Sequence, residues 1–204
     1  MKKRDETMVR RLTRAASVAL TLSGFAASAP AATASDAAPF SNATWQGEGL
    51  ALITPFQQAL VTTVTEAMQR GGPAEAVTTC QLVAPSIAAA HSTAGWRVGR
   101  TALRWRNAAN APDAWERQTL EAFAQRVTAG EPMETLVASA VVDGEFRLMK
   151  AIGTAPLCLN CHGEALSPGV ARIIDEHYPD DQARGFQTGD LRGAFTLRRA
   201  LPQE

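Results

Sequence analysis

A short segment in the C-terminal half of the chain combines two thiols and an imidazole at a spacing suited to holding a cofactor. Cys158 and Cys161 are separated by two residues, and His162 follows immediately. In a C-x-x-C-H segment the two thiols can add to the two vinyl groups of one porphyrin, while the imidazole binds the iron from one side. The pattern therefore predicts one covalently attached c-type haem, with Cys158 and Cys161 as attachment residues and His162 as the proximal ligand.

Three other interpretations of this segment remain open: a thioredoxin-like dithiol, half of a zinc site, and a structural disulfide. A thioredoxin-like motif opens a helix directly after a strand, whereas a Gly-Glu-Ala-Leu-Ser-Pro loop follows here. A structural zinc site needs four ligands, but the third cysteine, Cys80, and the two other histidines are scattered along the chain. The pattern thus favours haem over the alternatives.

The first 34 residues resemble a secretory signal in composition. A basic start precedes a short, mostly apolar run from Ala15 to Ala27, and small residues follow, so we expect cleavage after Ala34. The alternative is an uncleaved anchor, although the apolar run is short for a membrane span. Because bacteria attach c-type haem outside the cytoplasmic membrane, a periplasmic location and the haem motif support each other.

Cleavage would leave 170 of the 204 residues, which is enough for one domain with a hydrophobic core. The remaining part would carry 14 basic and 18 acidic side chains, a net charge of −4. This charge argues against a nucleic-acid partner and against an anionic membrane surface. No second long apolar segment follows, so we expect no membrane span after signal cleavage. We divide the rest into a linker over 35–54 and one domain over 55–204.

Hydrophobic periodicity predicts an α+β domain with an antiparallel sheet. Helices are predicted over 54–70, 74–92, 114–128 and 168–178. Strands are predicted over 96–105, 133–142, 145–152 and around 193–197. Asp143-Gly144 is a strong hairpin signal between the second and third strands. Pro85 is expected to kink or divide the second helix.

The second axial position of the iron determines which function such a protein can have. A Met or His ligand is typical of an electron carrier, an open position is typical of a gas binder or peroxidase, and a thiolate stabilises ferric iron. The candidates are Cys80, His91, His177, Met68, Met133 and Met149. Spacing alone does not choose among them. Cys80 lies on the inward side of the second predicted helix and is the thiol that haem attachment would leave over.

Several segments resemble the PAS-like c-type haem domain family, in the same order over most of residues 80–195. They are Cys80-Gln-Leu-Val-Ala-Pro85, Gly95-Trp-Arg-Val-Gly-Arg-Thr-Ala-Leu-Arg104, Arg106-Asn107, Asn110-Ala-Pro-Asp113, Trp115-Glu116, Met149-Lys150, Cys158-Leu-Asn-Cys-His-Gly163, Tyr178-Pro179-Asp180 and Gly189-Asp-Leu-Arg-Gly-Ala-Phe195. The resemblance implies a PAS-like antiparallel sheet flanked by helices. It also implies an iron bound by His162 and Cys80. Phe186-Gln187 departs from the family pattern, in which a tyrosine is expected.

Haem propionates need cationic or hydrogen-bonding partners. Arg100 and Arg104 share one face of the first predicted strand, and Arg192 follows in the Gly-Asp-Leu-Arg segment. These three arginines are the candidates for binding the propionates. The alternative for each is a solvated surface arginine or a structural ion pair.

With protein ligands on both sides, the iron would have no open site for a substrate. We therefore expect a periplasmic single-haem cytochrome in redox sensing or low-potential electron transfer, rather than an enzyme. Its partner would be a separate redox or signalling protein. Two alternatives remain: a CO or NO sensor whose Cys80 ligand leaves on reduction, and a peroxidase-like enzyme with an open iron site.

Overall fold

The computed structural model describes residues 40–203. The predicted signal over 1–34, and residues 35–39 of the predicted linker, lie outside this range. The helices and strands of the described part are α1 Asn42–His91, β1 Trp96–Thr101, α2 Ala114–Thr128, β2 Val137–Val142, β3 Glu145–Gly153, α3 Leu159–His162, α4 Pro168–His177 and β4 Leu191–Ala200. No helix within 40–203 combines the length and apolar character that a membrane crossing requires.

The four strands form one antiparallel sheet in the order β1-β4-β3-β2. β2 and β3 are joined by the two-residue turn Asp143-Gly144, whose φ angles are +50° and +74°. Positive φ at both central residues is the geometry of a type I′ turn, which matches the twist of the flanking strands. The α+β prediction, the antiparallel sheet and the hairpin are confirmed, and the arrangement is consistent with the expected PAS-like fold.

Successive side chains along each strand point to opposite faces of the sheet, so both faces carry apolar residues. Helices cover both faces. On one face, α1 packs in a core made of Trp45, Ile53, Phe56, Leu60, Trp96, Val98, Phe146, Leu148, Phe195 and Leu197. On the other face, α2 contributes Leu120 and Phe123 to a core with Leu136, Met149, Ala151 and Ala194. A capping box begins α2, since Asp113 and Glu116 exchange side-chain-to-backbone hydrogen bonds.

The linker prediction is wrong for residues 42–54, which form the first turns of α1. Trp45, Gly49, Ile53 and Phe56 recur at helical spacing and are all buried. Trp45 is only 6% exposed and lies against Trp96 and the sheet. The small and polar residues of this segment resemble a tether, but they occupy the solvent side of a helix that one tryptophan anchors to the core.

The helix α1 consists of two arms, because the backbone angles of Gly71 and Gly72 lie outside the helical region. This agrees with the prediction of two separate helices. Gly72 has φ +73°, a conformation that glycine adopts without steric cost. The arms lie side by side, with Phe56 of the first and His91 of the second 5.7 Å apart between ring centroids. Pro85 does not divide the second arm, since the backbone stays helical through it.

β1 is shorter than predicted and ends at Thr101. The next backbone N–H, that of Ala102, donates to the carbonyl of Asn110 at 3.2 Å instead of continuing the ladder. Residues 102–106 therefore leave the sheet and carry two arginines toward the C-x-x-C-H segment. Similarly, the first residues of the predicted second strand form a 3₁₀ turn at Met133–Thr135, and β2 begins at Val137.

Candidate functional site

The C-x-x-C-H segment folds into consecutive helical turns. A 3₁₀ turn at Pro156–Cys158 runs directly into the single-turn helix α3, Leu159–His162. The backbone N–H of Cys158 donates to Ala155 O at 2.9 Å, and that of Gly163 donates to Leu159 O at 3.0 Å. The segment therefore presents both thiols and the imidazole from one compact unit. Both cysteines are free thiols and half-buried.

A second segment runs beside this unit and holds it by backbone hydrogen bonds. The N–H of Phe186 donates to the carbonyl of His162 at 2.9 Å, and the N–H of Gly185 donates to the carbonyl of Gly163 at 3.0 Å. Gly163 and Phe186 thus form an isolated parallel bridge. The position of the motif is fixed by residues more than twenty places later in the chain.

The same segment orients the His162 ring. Nδ1 of His162 lies 2.8 Å from the carbonyl oxygen of Ala183. Because a carbonyl only accepts, Nδ1 carries the proton and donates, so Nε2 keeps its lone pair. Burial, together with the positive charges of Arg192 and Arg106, holds the pKa of His162 well below its usual value. The imidazole is therefore neutral at pH 7 and suited to metal ligation through Nε2.

Arg106 ties the motif to the segment that follows α4. Its Nη2 donates to the carbonyl of Cys161 at 2.5 Å and to that of Ala183 at 3.1 Å. Its Nε donates to Asp181 Oδ1 at 3.0 Å, and the Asp181 side chain is only 1% exposed. Arg106 is a site residue that the sequence analysis did not single out. The sequence feature that could have identified Arg106 is its place in the Arg106-Asn107 segment of the family resemblance.

Cys80 approaches the same region from the second arm of α1. One turn earlier, Val77 packs against Val170 and Ile174 of α4, in a cluster that also includes Cys161. Burial raises the pKa of the Cys80 thiol, and the charges of Arg100 and Arg106 oppose that shift. The structure therefore brings the leftover thiol and the C-x-x-C-H segment together.

Arg100 lies on β1 beside Cys80, on the face of the sheet that α1 covers. Burial lowers its pKa, while Cys80 and Tyr178 oppose that effect. Its guanidinium makes no hydrogen bond or ion pair with a carboxylate among residues 40–203. Arg100 is half-buried, and a partly buried cation without an anionic partner is costly. This arrangement suits the binding of an anionic group from outside the chain.

The guanidinium groups of Arg104 and Arg192 both lie over the ring of Phe186. Their guanidinium carbons lie 4.3 and 5.1 Å from the ring centroid, and Arg192 Nη1 donates to Arg104 O at 3.1 Å. Burial, followed by the charges of Arg106 and Arg100, lowers the pKa of Arg192 to about 10. The Phe186 ring also lies edge-on to His162, at 6.3 Å between centroids. The three predicted arginines thus belong to one cationic region around the motif.

The other candidates for the second axial position have different surroundings. Met133 and Met149 pack in the core under α2, on the face of the sheet opposite Arg100. His91 donates through Nδ1 to Ile87 O at 2.9 Å, and His177 Nε2 lies 3.3 Å from Thr78 Oγ1. Within 40–203, no group of three or more His, Cys, Asp or Glu side chains is placed to hold a metal ion by itself.

Comparison with known proteins gives the chain a family. The crystal structure of the cyanobacterial heme-protein Tll0287 is similar, with a TM-score of 0.56 and 24% sequence identity, over 80% of this chain and 99% of that one. This likeness shows a shared fold. No curated protein matches the chain. The model of the Tll0287-like family, described as Tll0287, matches residues 15–199, which is most of the sequence. The chain therefore belongs to the Tll0287-like family.

Proposed function

We propose that this chain is a single-haem protein of the periplasm that acts in redox sensing or low-potential electron transfer. Cys158 and Cys161 would attach the haem covalently, and His162 and Cys80 would bind its iron from opposite sides. Arg100, Arg104 and Arg192 would bind the propionates. The family match and the likeness to the crystal structure of a cyanobacterial heme-protein support the haem. The C-x-x-C-H segment supports covalent attachment.

The observation that carries the proposal is the grouping of the C-x-x-C-H side chains, a nearby third thiol and several arginines in one region. Two half-buried thiols and a neutral imidazole lie on consecutive helical turns, and Cys80 lies one turn along α1 from Val77, which packs in the same cluster as Cys161. Arginines surround these donors, and Arg100 has no carboxylate partner among the described residues. A haem carries two propionates and takes two axial ligands. The donors and the charges of the site fit such a group.

A bound haem would supply an iron that gains or loses one electron. The protein residues would tune its reduction potential and shield it from solvent. Ala183 holds the His162 ring by accepting from Nδ1, which leaves Nε2 directed for ligation. A metal deprotonates a coordinating thiol, and a thiolate favours the ferric state. With both axial positions taken by side chains, substrate turnover at the iron is not expected.

The attachment residues are tested by intact mass. The mature protein would be produced in a bacterial host that has haem-attachment machinery, and its mass measured after denaturation. The expected mass exceeds that of the polypeptide by one haem, and the added mass disappears in the Cys158→Ser, Cys161→Ser double variant. Cys80→Ser is the matched control and should keep the added mass. A parent protein without the haem mass would refute the proposal.

A second candidate function is gas sensing through loss of the Cys80 ligand. The observation that favours it is the burial of the thiol, which raises the pKa of Cys80 and thereby favours the neutral, weakly binding form. The loaded protein would be reduced and exposed to CO, and its optical spectrum recorded. A large CO-induced shift in the parent would favour sensing. A spectrum unaffected by CO would favour electron transfer.

A further inference from the structure

The outer edge of β2 is open in the described structure. β2 ends the sheet, and within residues 40–203 no strand pairs with its free side. The strand reads Val-Ala-Ser-Ala-Val-Val and contains neither a charged residue nor a proline. Natural edge strands usually carry such residues to block pairing with another chain. An edge without them is a candidate surface for strand addition.

The register determines which backbone groups face outward. Ala151 N–H donates to Leu136 O at 3.0 Å, so Leu136 directs its carbonyl toward β3. In an antiparallel ladder this orientation alternates along the strand. Leu136, Ala138, Ala140 and Val142 therefore direct their hydrogen-bonding groups toward β3. Val137, Ser139 and Val141 direct their N–H and C=O groups away from the sheet.

The sequence of these residues is symmetric about Ser139. Val137-Ala138-Ser139-Ala140-Val141 reads the same in both directions. We propose that β2 is a dimerisation edge, at which β2 of a second copy of this chain pairs antiparallel about a two-fold axis through Ser139. Ser139 would then lie opposite Ser139 of the other copy, and Val137 opposite Val141. A two-fold interface requires such self-complementarity.

The pairing gives the outward-facing backbone N–H and C=O groups of β2 hydrogen-bond partners, and it covers apolar surface. The outward-facing residues meet as hydrogen-bonded pairs, and each pair exchanges two backbone hydrogen bonds. Val141, which is 48% exposed, gains a valine neighbour across the new ladder. Ser139 is also exposed. The two four-stranded sheets become one continuous sheet, and the residues proposed to hold haem take no part in the contact.

Sedimentation over a wide range of concentration tests the dimer in the haem-loaded mature protein. We expect a dimer at high concentration that dissociates on dilution. Val141→Lys should abolish it, because a charge would be placed within the new ladder. Val61→Lys is the matched control, since Val61 lies on α1 and is 50% exposed; it should leave the dimer unchanged. A parent that is monomeric at every concentration would overturn the proposal, as would equal effects of the two variants.

Oxidative cross-linking tests the two-fold axis itself. Opposite residues in a hydrogen-bonded antiparallel pair have Cα atoms about 5.5 Å apart, which is within the usual disulfide range. Ser139→Cys should therefore give a covalent dimer under mild oxidation. Ala140→Cys, whose partner in the other copy would be Ala138, should cross-link far less, as should the parent protein. Equal cross-linking at positions 139 and 140 would overturn this register.

Discussion

Nδ1 of His162 and the carbonyl oxygen of Ala183 lie 2.8 Å apart, so a residue 21 places later in the chain sets which nitrogen of the ring can bind a metal. The same carbonyl accepts a hydrogen bond from Arg106 at 3.1 Å. The orientation of His162 and the position of the Cys161 carbonyl therefore depend on one arginine. This relationship links the stability of the fold to the geometry of the proposed haem site.

Replacing Arg106 should destabilise the protein. Arg106→Gln removes one of the two cations that pair with Asp181, whose side chain is 1% exposed, and Arg184 remains as the other. It also removes the hydrogen bonds to the carbonyls of Cys161 and Ala183. We expect the free energy of unfolding to fall by about 1–3 kcal/mol, measured by urea denaturation of parent and variant.

The matched control for this prediction is Arg172→Gln. Arg172 pairs with Glu176 on α4, where the side chains are 71% and 60% exposed. Exposed pairs contribute little, so its effect should stay below about 0.5 kcal/mol. Equal losses in the two variants would show that Arg106 does not hold the site together in the way described.

Asp181 should make stability depend on pH in the acid range. Burial raises its pKa, but hydrogen bonds from Arg184, Arg106 and the Ala183 N–H outweigh burial and hold the pKa below the ordinary value. A carboxylate with a lowered pKa contributes stability above the unfolded-state pKa of about 3.9 and loses that contribution as pH falls through the folded-state pKa.

Asp181→Asn should therefore be less stable than the parent at pH 7, and the difference should shrink as the pH falls below about 4. Unfolding free energies measured across the acid range check this expectation. Asp180→Asn changes an exposed neighbouring carboxylate and serves as the control. A difference between Asp181→Asn and the parent that does not vary with pH would contradict the predicted linkage.

Glu116 should contribute to stability on the opposite face of the sheet. Its carboxylate accepts hydrogen bonds from Arg147 at 3.2 Å, Arg198 at 2.8 Å and Thr196 at 2.7 Å. Its side chain is only 3% exposed. Glu116→Ala leaves Asp113 as the remaining carboxylate partner of Arg147 and should cost about 1–3 kcal/mol. Thermal and urea unfolding measure the loss, and the exposed Glu121→Ala should cost little.

Under the proposed ligation, Cys80→Ala should keep the covalent haem but change the spin state of the ferric iron. The proposed attachment thiols are untouched, so the added mass should remain, whereas loss of the proposed thiolate ligand should move the iron toward high spin. Optical and electron paramagnetic resonance spectra measure the change. Thr79→Ala, one residue away with its hydroxyl turned to Glu75, should leave both spectra unaltered. An unchanged ferric spectrum in Cys80→Ala would remove Cys80 from the iron.

Local patterns were sufficient to predict the sheet and its hairpin. Asp143 and Gly144 form the hairpin turn because both residues tolerate positive φ angles. Asp113 and Glu116 form their capping box within one helical turn. Such signals need no knowledge of distant residues. The grouping of Cys158, Cys161 and His162 also depends only on local sequence, since two consecutive helical turns carry all three.

The residues that hold the site in place depend on contacts distant in sequence. Arg106 and Ala183 are 77 places apart in the chain, and no local periodicity marks them or Asp181. The start of α1 was missed for a related reason. Trp45 is a single large apolar residue among small ones, and its burial depends on Trp96 and Phe146 across the sheet.

The optical spectrum of the haem-loaded mature protein, oxidised and reduced, tests the central claim most directly. Ligation by His162 and Cys80 predicts a low-spin ferric spectrum with thiolate features and without a methionine-to-iron band. A high-spin ferric spectrum would contradict the account, because it would mean that Cys80 does not bind and that the iron has an open coordination position.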